Sequence, residues 1–292
     1  MSQAERHTQG IALIIAACAC FAMLDAGSKF ASSTVPLMLV IWIRYVMQML
    51  FTAAVLLPRQ GGRPFATRHP VLQVMRGLLL LFCSSMAFLS LMHMPIGEFT
   101  AIVMLSPIMI TLLSAIALKE RVSMLRWLLV FGGFVGALIV IHPGGQPFNR
   151  ATLLPLLLVV ASTAFVTITG KLSRADAAGT THFITGLVGL VVTTLLLPFF
   201  WRQPEDAFTW GLLIGIGLLG TIGHYFMILA YTRAPAASLT PYLYFQIAFA
   251  TLGGWLVFAH VPDRISLLGI GIIAICGSAG LWVTAREKRP RA

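Results

Sequence analysis

The chain has 292 residues, of which 58% are apolar and only 10% carry charge, against about 25% charged in an average soluble domain. That is too little charge to cover a soluble surface of this length, which excludes a soluble enzyme, a disulfide scaffold and a disordered protein. The formal net charge of +11 forms no basic stripe on a folded soluble face, so it points to anionic lipid headgroups and away from nucleic acid. Cys18, Cys20, Cys83 and Cys276 all fall inside apolar runs without a C-x-x-C pair, and no metal or cofactor is expected.

Apolar runs long enough to cross about 30 Å of hydrocarbon follow one another with short charged or Pro/Gly-marked breaks. They cover roughly residues 10–30, 37–57, 71–92, 95–117, 124–141, 151–171, 180–199, 208–232, 235–258 and 265–284. The first is expected to be a retained helix, being too long for the core of a signal peptide. Pro95 and Pro235 open the fourth and ninth runs, where a missing N–H costs nothing. None of the runs alternates as a barrel strand must, so all ten read as helices. The fold class is therefore an all-α integral membrane protein of ten transmembrane helices.

Counting Lys and Arg by side orients the bundle. With ten spans, both termini and the even-numbered connections lie together and hold 14 basic residues, while the opposite side holds Arg150, Arg202 and Arg264. The positive-inside rule then predicts a multi-pass protein of the inner (cytoplasmic) membrane with both termini in the cytoplasm.

Residues 72–142 slide without a gap onto 212–282, an offset of 140 that superposes Pro95 on Pro235, Thr100 on Thr240, Thr111 on Thr251 and Gly77 on Gly217. The halves are expected at 1–145 and 146–292. Five helices per half is an odd number, so the two repeats enter the membrane in opposite senses. Transporters built as inverted-topology repeats hold substrate near the midplane between them.

The stretch from Ser106 to Trp127, SPIMITLLSAIALKERVSMLRW, followed by FGGFVGALIVIHP, resembles the drug/metabolite transporter superfamily, EamA type. Within it the chain most resembles the YddG-type exporters of aromatic and other amino acids. The resemblance implies ten helices in two five-helix repeats and a secondary transporter. The second half departs from the pattern, with His260 where the first has Glu120 and Ile247 where the first has Pro107.

Ionisable residues inside spans are the strongest functional leads, because an uncompensated charge in lipid is costly. Asp25 and Lys29 are four apart and share a helix face. With Arg44 and Glu98 they fall in the outer third of the membrane, as an ion-pair network, an external gate, or a docking point for the carboxylate and amine of a zwitterion. Arg76, near the start of the third span, is expected to snorkel to the headgroups. His224, beside Tyr225, is a packing residue or a proton carrier, while His182 is placed near an interface. Pro241 breaks the ninth helix and leaves Tyr242 and Gln246 four apart on one face just inside. Phe21 and Phe165 are expected to meet an apolar or aromatic side chain.

The expected substrate contacts are thus Phe21, Asp25, Arg44, Phe165, His224, Tyr225, Tyr242 and Gln246, with Lys29 and Glu98 as gate or ion-pair residues. No Walker loop, Ser/His/Asp set or H-E-x-x-H pattern occurs, so no enzymatic activity is expected. The predicted function is amino-acid export with broad selectivity by alternating access. Export of drugs or other small metabolites on the same fold is the alternative, and an intramembrane enzyme a more distant one. The expected partners are a small molecule and the lipid bilayer, with no nucleic acid, and the chain is expected to act as a monomer.

Overall fold

The computed structural model describes residues 3–56, 58, 66–93, 96–103, 105–117, 122–141 and 153–258, with short pieces between 264 and 279. The helices are α1 Gln3–Ala31, α2 Leu37–Phe51, α3 Pro70–His93, α4 Ile96–Val103, α5 Ser106–Ala117 and α6 Met124–Ile141. They continue with α7 Leu153–Leu172, α8 Ala178–Leu196, α9 Ala207–Arg233, α10 Ala236–Leu239 and α11 Phe245–Phe258. No strand occurs among the described residues. Among the described residues, six helices are long and apolar enough to span a bilayer, corresponding to the expected spans 1, 2, 3, 6, 7 and 8. Most of the expected tenth span, together with Glu120 and His260, lies outside the described residues. Glu98 belongs to α4, and its side chain is likewise outside them.

Two expected spans are broken. The fourth divides into α4 and α5 just before Pro107, and the ninth runs from α10 through a 3-10 turn, Thr240–Tyr244, into α11. A proline ring inside a helix displaces the carbonyl four residues back, and the chain tightens at Pro241 to absorb this. The thiol of Cys18 on α1 lies 3.7 Å from the Tyr242 carbonyl oxygen and 3.8 Å from that of Leu243, a weak donor set against the irregular backbone. Such backbone is tolerated at membrane depth where protein, not lipid, covers it.

The outward faces of the helices are apolar, as hydrocarbon demands, and the polar residues in the spans face the interior. On α3, Val71, Met75, Leu78 and Phe82 form the exposed stripe, while Gln73, Arg76, Ser84 and Ser90 are buried. Arg76 therefore does not snorkel. Its side chain is 0% exposed, because it points into the bundle, where hydroxyls can solvate it and the acyl chains cannot. His182 also departs from its interfacial placement and is fully buried. Its Nε2 donates to the Thr221 carbonyl at 3.1 Å, and its Nδ1 lies 2.7 Å from Thr52 Oγ1.

The packing of the halves is reciprocal. α3 of the first half lies on α7 and α8, and α9 of the second half lies on α1 and α2. Gly77 and Gly217, matched at the 140-residue offset, serve the same purpose in each. A Cβ on Gly77 would come within 2.8 Å of Val188 on α8, and one on Gly217 within 2.7 Å of Met47 on α2. Small residues let helices approach where lipid supplies no hydrophobic drive between them. The turns after α1 and α7 also repeat, with Ser32 and Thr34 amides bonding to Ser28 and Ala31 carbonyls as Ser173 and Ala175 amides bond to those of Thr169 and Leu172.

At the second of these turns Asp176 closes one end of the bundle. Its carboxylate accepts from Thr67 Oγ1, from the Arg68 amide at 3.1 Å and from Gln73 Nε2 at 2.8 Å. Burial pushes this carboxyl up, but the hydrogen bonds from Thr67, Arg68 and Gln73, with His69 nearby, outweigh it and hold the group below the ordinary aspartate value. A depressed folded pKa contributes stability that is present above the unfolded value of about 3.9 and is lost as pH falls through the lower folded value. The thermal stability gap between the wild type and Asp176→Asn should accordingly be open at pH 6 and shrink towards pH 3. A gap that stays constant across that range would remove the carboxylate from the latch.

Candidate functional site

A cavity of about 200 Å³ lies within the bundle, lined by α1, α2, α3, α4, α5, α7, α9 and the ninth span. Phe21 and Asp25 reach it because they stand four apart on α1, one turn above the other. Arg44 enters from α2, Phe165 from α7, His224 from α9 and Gln246 from the first turn of α11. Gln246 Nε2 donates to Asp25 Oδ2 at 3.1 Å, fixing the amide orientation and bridging the first span to the ninth.

The expected Asp25–Arg44 contact is looser than a hydrogen-bonded ion pair. The carboxylate is held by Gln246, and Arg44 acts on it through space. Close approach of α9 seats the guanidinium: a Cβ on Gly220 would lie 3.1 Å from Arg44 Nε. Gly223, one turn along, does the same for Phe21, whose ring would be 2.8 Å from an added Cβ. The aromatic wall is continuous, with Phe21 and His224 ring centroids 4.8 Å apart and Phe165 and His224 5.9 Å apart, edge to face. His224 Nδ1 has no hydrogen-bond partner among the described residues.

Six of the expected contacts therefore share this cavity: Phe21, Asp25, Arg44, Phe165, His224 and Gln246. Tyr225 and Tyr242 do not line it. Tyr225 follows His224 by one residue and so turns about 100° away, into a cluster with Phe51 and His182 at 5.9 and 5.6 Å. Tyr242 falls within the 3-10 turn, where three residues per turn replace 3.6, so the four-residue spacing to Gln246 no longer means a shared face. It packs instead into the buried core with Ile14, Phe165 and Leu239. Lys29 Nζ donates to the Leu91 carbonyl at 2.5 Å, tying α1 to the end of α3.

Sequence reasoning missed the α3 wall, Leu80, Ser84 and Ala87. The signal was present, since these positions recur at helical spacing and Ser84 interrupts a run of Leu and Phe. Ser106 and Ser162, whose hydroxyl oxygens are 3.4 Å apart, close the far side. The arrangement opposes one carboxylate to a guanidinium across an apolar and aromatic space. It can orient a solute by charge and ring, and among the described residues it holds no nucleophile–base pair.

A family model of EamA-like transporters matches residues 8–142 and again 151–282. A riboflavin transporter of Brucella anthropi is 29% identical over 86% of this chain and 90% of its own length. The pseudopaline exporter of Pseudomonas aeruginosa is 26% identical over 95% and 97%. An S-adenosylmethionine uptake transporter of Rickettsia felis is 25% identical over 91% and 88%. A solved crystal structure shares the fold, with a TM-score of 0.79 over 97% of this chain and 99% of that chain at 16% identity.

Groups in one electrostatic network couple by roughly 0.5–3 kcal/mol. Asp25→Asn combined with Arg44→Gln should thus destabilise the purified protein by less than the sum of the two single changes. Strict additivity in thermal melts would separate the two residues energetically.

Proposed function

We propose that this chain, which belongs to the EamA-like transporter family, is a secondary transporter that carries a small polar metabolite across the inner membrane by alternating access. The observation that carries this reading is the cavity itself. Asp25 and Arg44 come from the first half, and His224 and Gln246 from the second, so one solute would touch both halves at once. Broken helices in the fourth and ninth spans flank it, the arrangement transporters use to present polar groups at the midplane.

The reciprocal packing of α3 and α9, the matched glycines and the repeated turns support two inverted five-helix repeats. If the halves rock against each other, a solute held between them is exposed first to one side and then to the other. The relatives argue for small metabolites broadly. Their names cover riboflavin, S-adenosylmethionine and pseudopaline, and both uptake and export. The narrower expectation of amino-acid export accordingly gives way to its alternative, a small-metabolite transporter. At about 200 Å³ the cavity is below the range of about 300–1,000 Å³ usual for ligand pockets, so a flavin-sized occupant would require it to widen.

Counterflow in proteoliposomes against a panel of labelled metabolites, with and without a proton gradient, tests the reading. Exchange of at least one solute is expected, reduced at least about tenfold by Arg44→Gln in protein that remains monodisperse, since a hydrogen bond to a charged group is worth that much or more. A wholly inactive wild type would defeat it. The proposed orientation is checked separately. Reporter fusions after Gly61 and Ala292 should both report cytoplasm, and one after Gln146 the outside, as the basic-residue bias requires.

A further inference from the structure

Arg76 is the largest fully buried side chain described, and it lies outside the cavity lining. Its Nε donates to Thr169 Oγ1 at 2.8 Å and its Nη1 to Thr185 Oγ1. Each hydroxyl donates its single proton to the carbonyl one turn back, of Phe165 and of Thr181, and so turns lone pairs towards the guanidinium. These acceptors are neutral. The third contact is the face of Phe165, whose centroid is 4.4 Å from the guanidinium carbon. Nη2 has no hydrogen-bond partner among the described residues.

No described carboxylate completes the site. Asp176, which Gln73 reaches one turn away on α3, gives its oxygens to Thr67, the Arg68 amide and Gln73. Asp25 is engaged by Gln246 and already faces Arg44. A cation buried at membrane depth without a counter-ion is expensive, and positions that keep one mark functional paths.

Its place in the bundle says which path. Leu80, one turn along α3 from Arg76, lines the cavity, and so does Phe165, one turn along α7 from Thr169. Arg76 therefore sits behind Phe165, whose other side meets the solute space and His224. Between Arg44 in the wall and Arg76 behind it, the described site holds two guanidinium groups against the one carboxylate of Asp25.

We propose that Arg76 is a second anion-recognition residue of the transport site, and that the transported solute carries a net negative charge, as carboxylate or phosphate, which Arg44 and Arg76 share when the Phe165 ring turns aside. A planar guanidinium with a free N–H suits either oxyanion. The inference rests on the transport reading above and names the charge of its substrate.

The test uses the full chain in proteoliposomes and compares solutes that differ by one anionic group. Glutamate against glutamine reads a carboxylate, and riboflavin 5′-phosphate against riboflavin reads a phosphate; each competes with whichever panel solute exchanges. Solutes that exchange should be anions, and the anionic member of a pair should compete at least about tenfold better than its partner. Arg76→Gln should erase most of that preference, and Arg76→Lys should keep part of it. A wild type that prefers neutral or cationic solutes overturns the proposal and leaves transport standing, without any variant having to fold. An unchanged preference in a monodisperse Arg76→Gln protein overturns it too. A wild type that exchanges nothing sinks the transport reading and this inference with it.

Discussion

Hydrocarbon solvates neither a peptide group nor a charge, and the rest of this structure depends on that refusal. Most polar side chains in the described spans find a partner inside the bundle. Threonine hydroxyls turn back onto their own helices at Thr163, Thr169, Thr185, Thr193 and Thr221, which satisfies the proton and leaves lone pairs for a neighbour. Arg76 lives on that second valence at Thr169 and Thr185. The apolar stripes that remain face outward, so the same helices are anchored by the solvent that expels their polar groups.

Close packing must then be obtained without hydrophobic drive, and glycine supplies it. Gly133 lies so near Tyr244 that an added Cβ would be 2.4 Å from the ring, and Gly189 so near Tyr45 that it would be 2.2 Å away. Aromatic residues of one half fit against bare backbone in α6 and α8. Gly77 and Gly217 make similar close approaches, to Val188 on α8 and to Met47 on α2.

The cavity lies where these demands conflict. Broken backbone, one carboxylate, a guanidinium and aromatic rings collect around Asp25. A fold tolerates such a concentration of buried polar groups where a solute or water completes it. Fold and site are separable here, since a crystal structure at 16% identity keeps the architecture while a handful of side chains would set what is carried.

Six of the expected spans, their apolar faces and the break at Pro241 were legible in the sequence, because they follow from local rules: run length against membrane thickness, and a proline ring against the preceding carbonyl. Asp25, Arg44, His224 and Gln246 stood out for the same reason, as polar residues in a medium that penalises them. What the sequence could not determine was direction. Arg76 looked close enough to an interface to escape, and only the approach of α7 and α8 gave it hydroxyls to turn towards. Tyr242 looked aligned with Gln246 until the 3-10 turn rotated it into the core. Tertiary packing decided these cases, because a side chain with both lipid and protein within reach follows whichever neighbour can satisfy its polar atoms, and those neighbours lie about a hundred residues away in the chain.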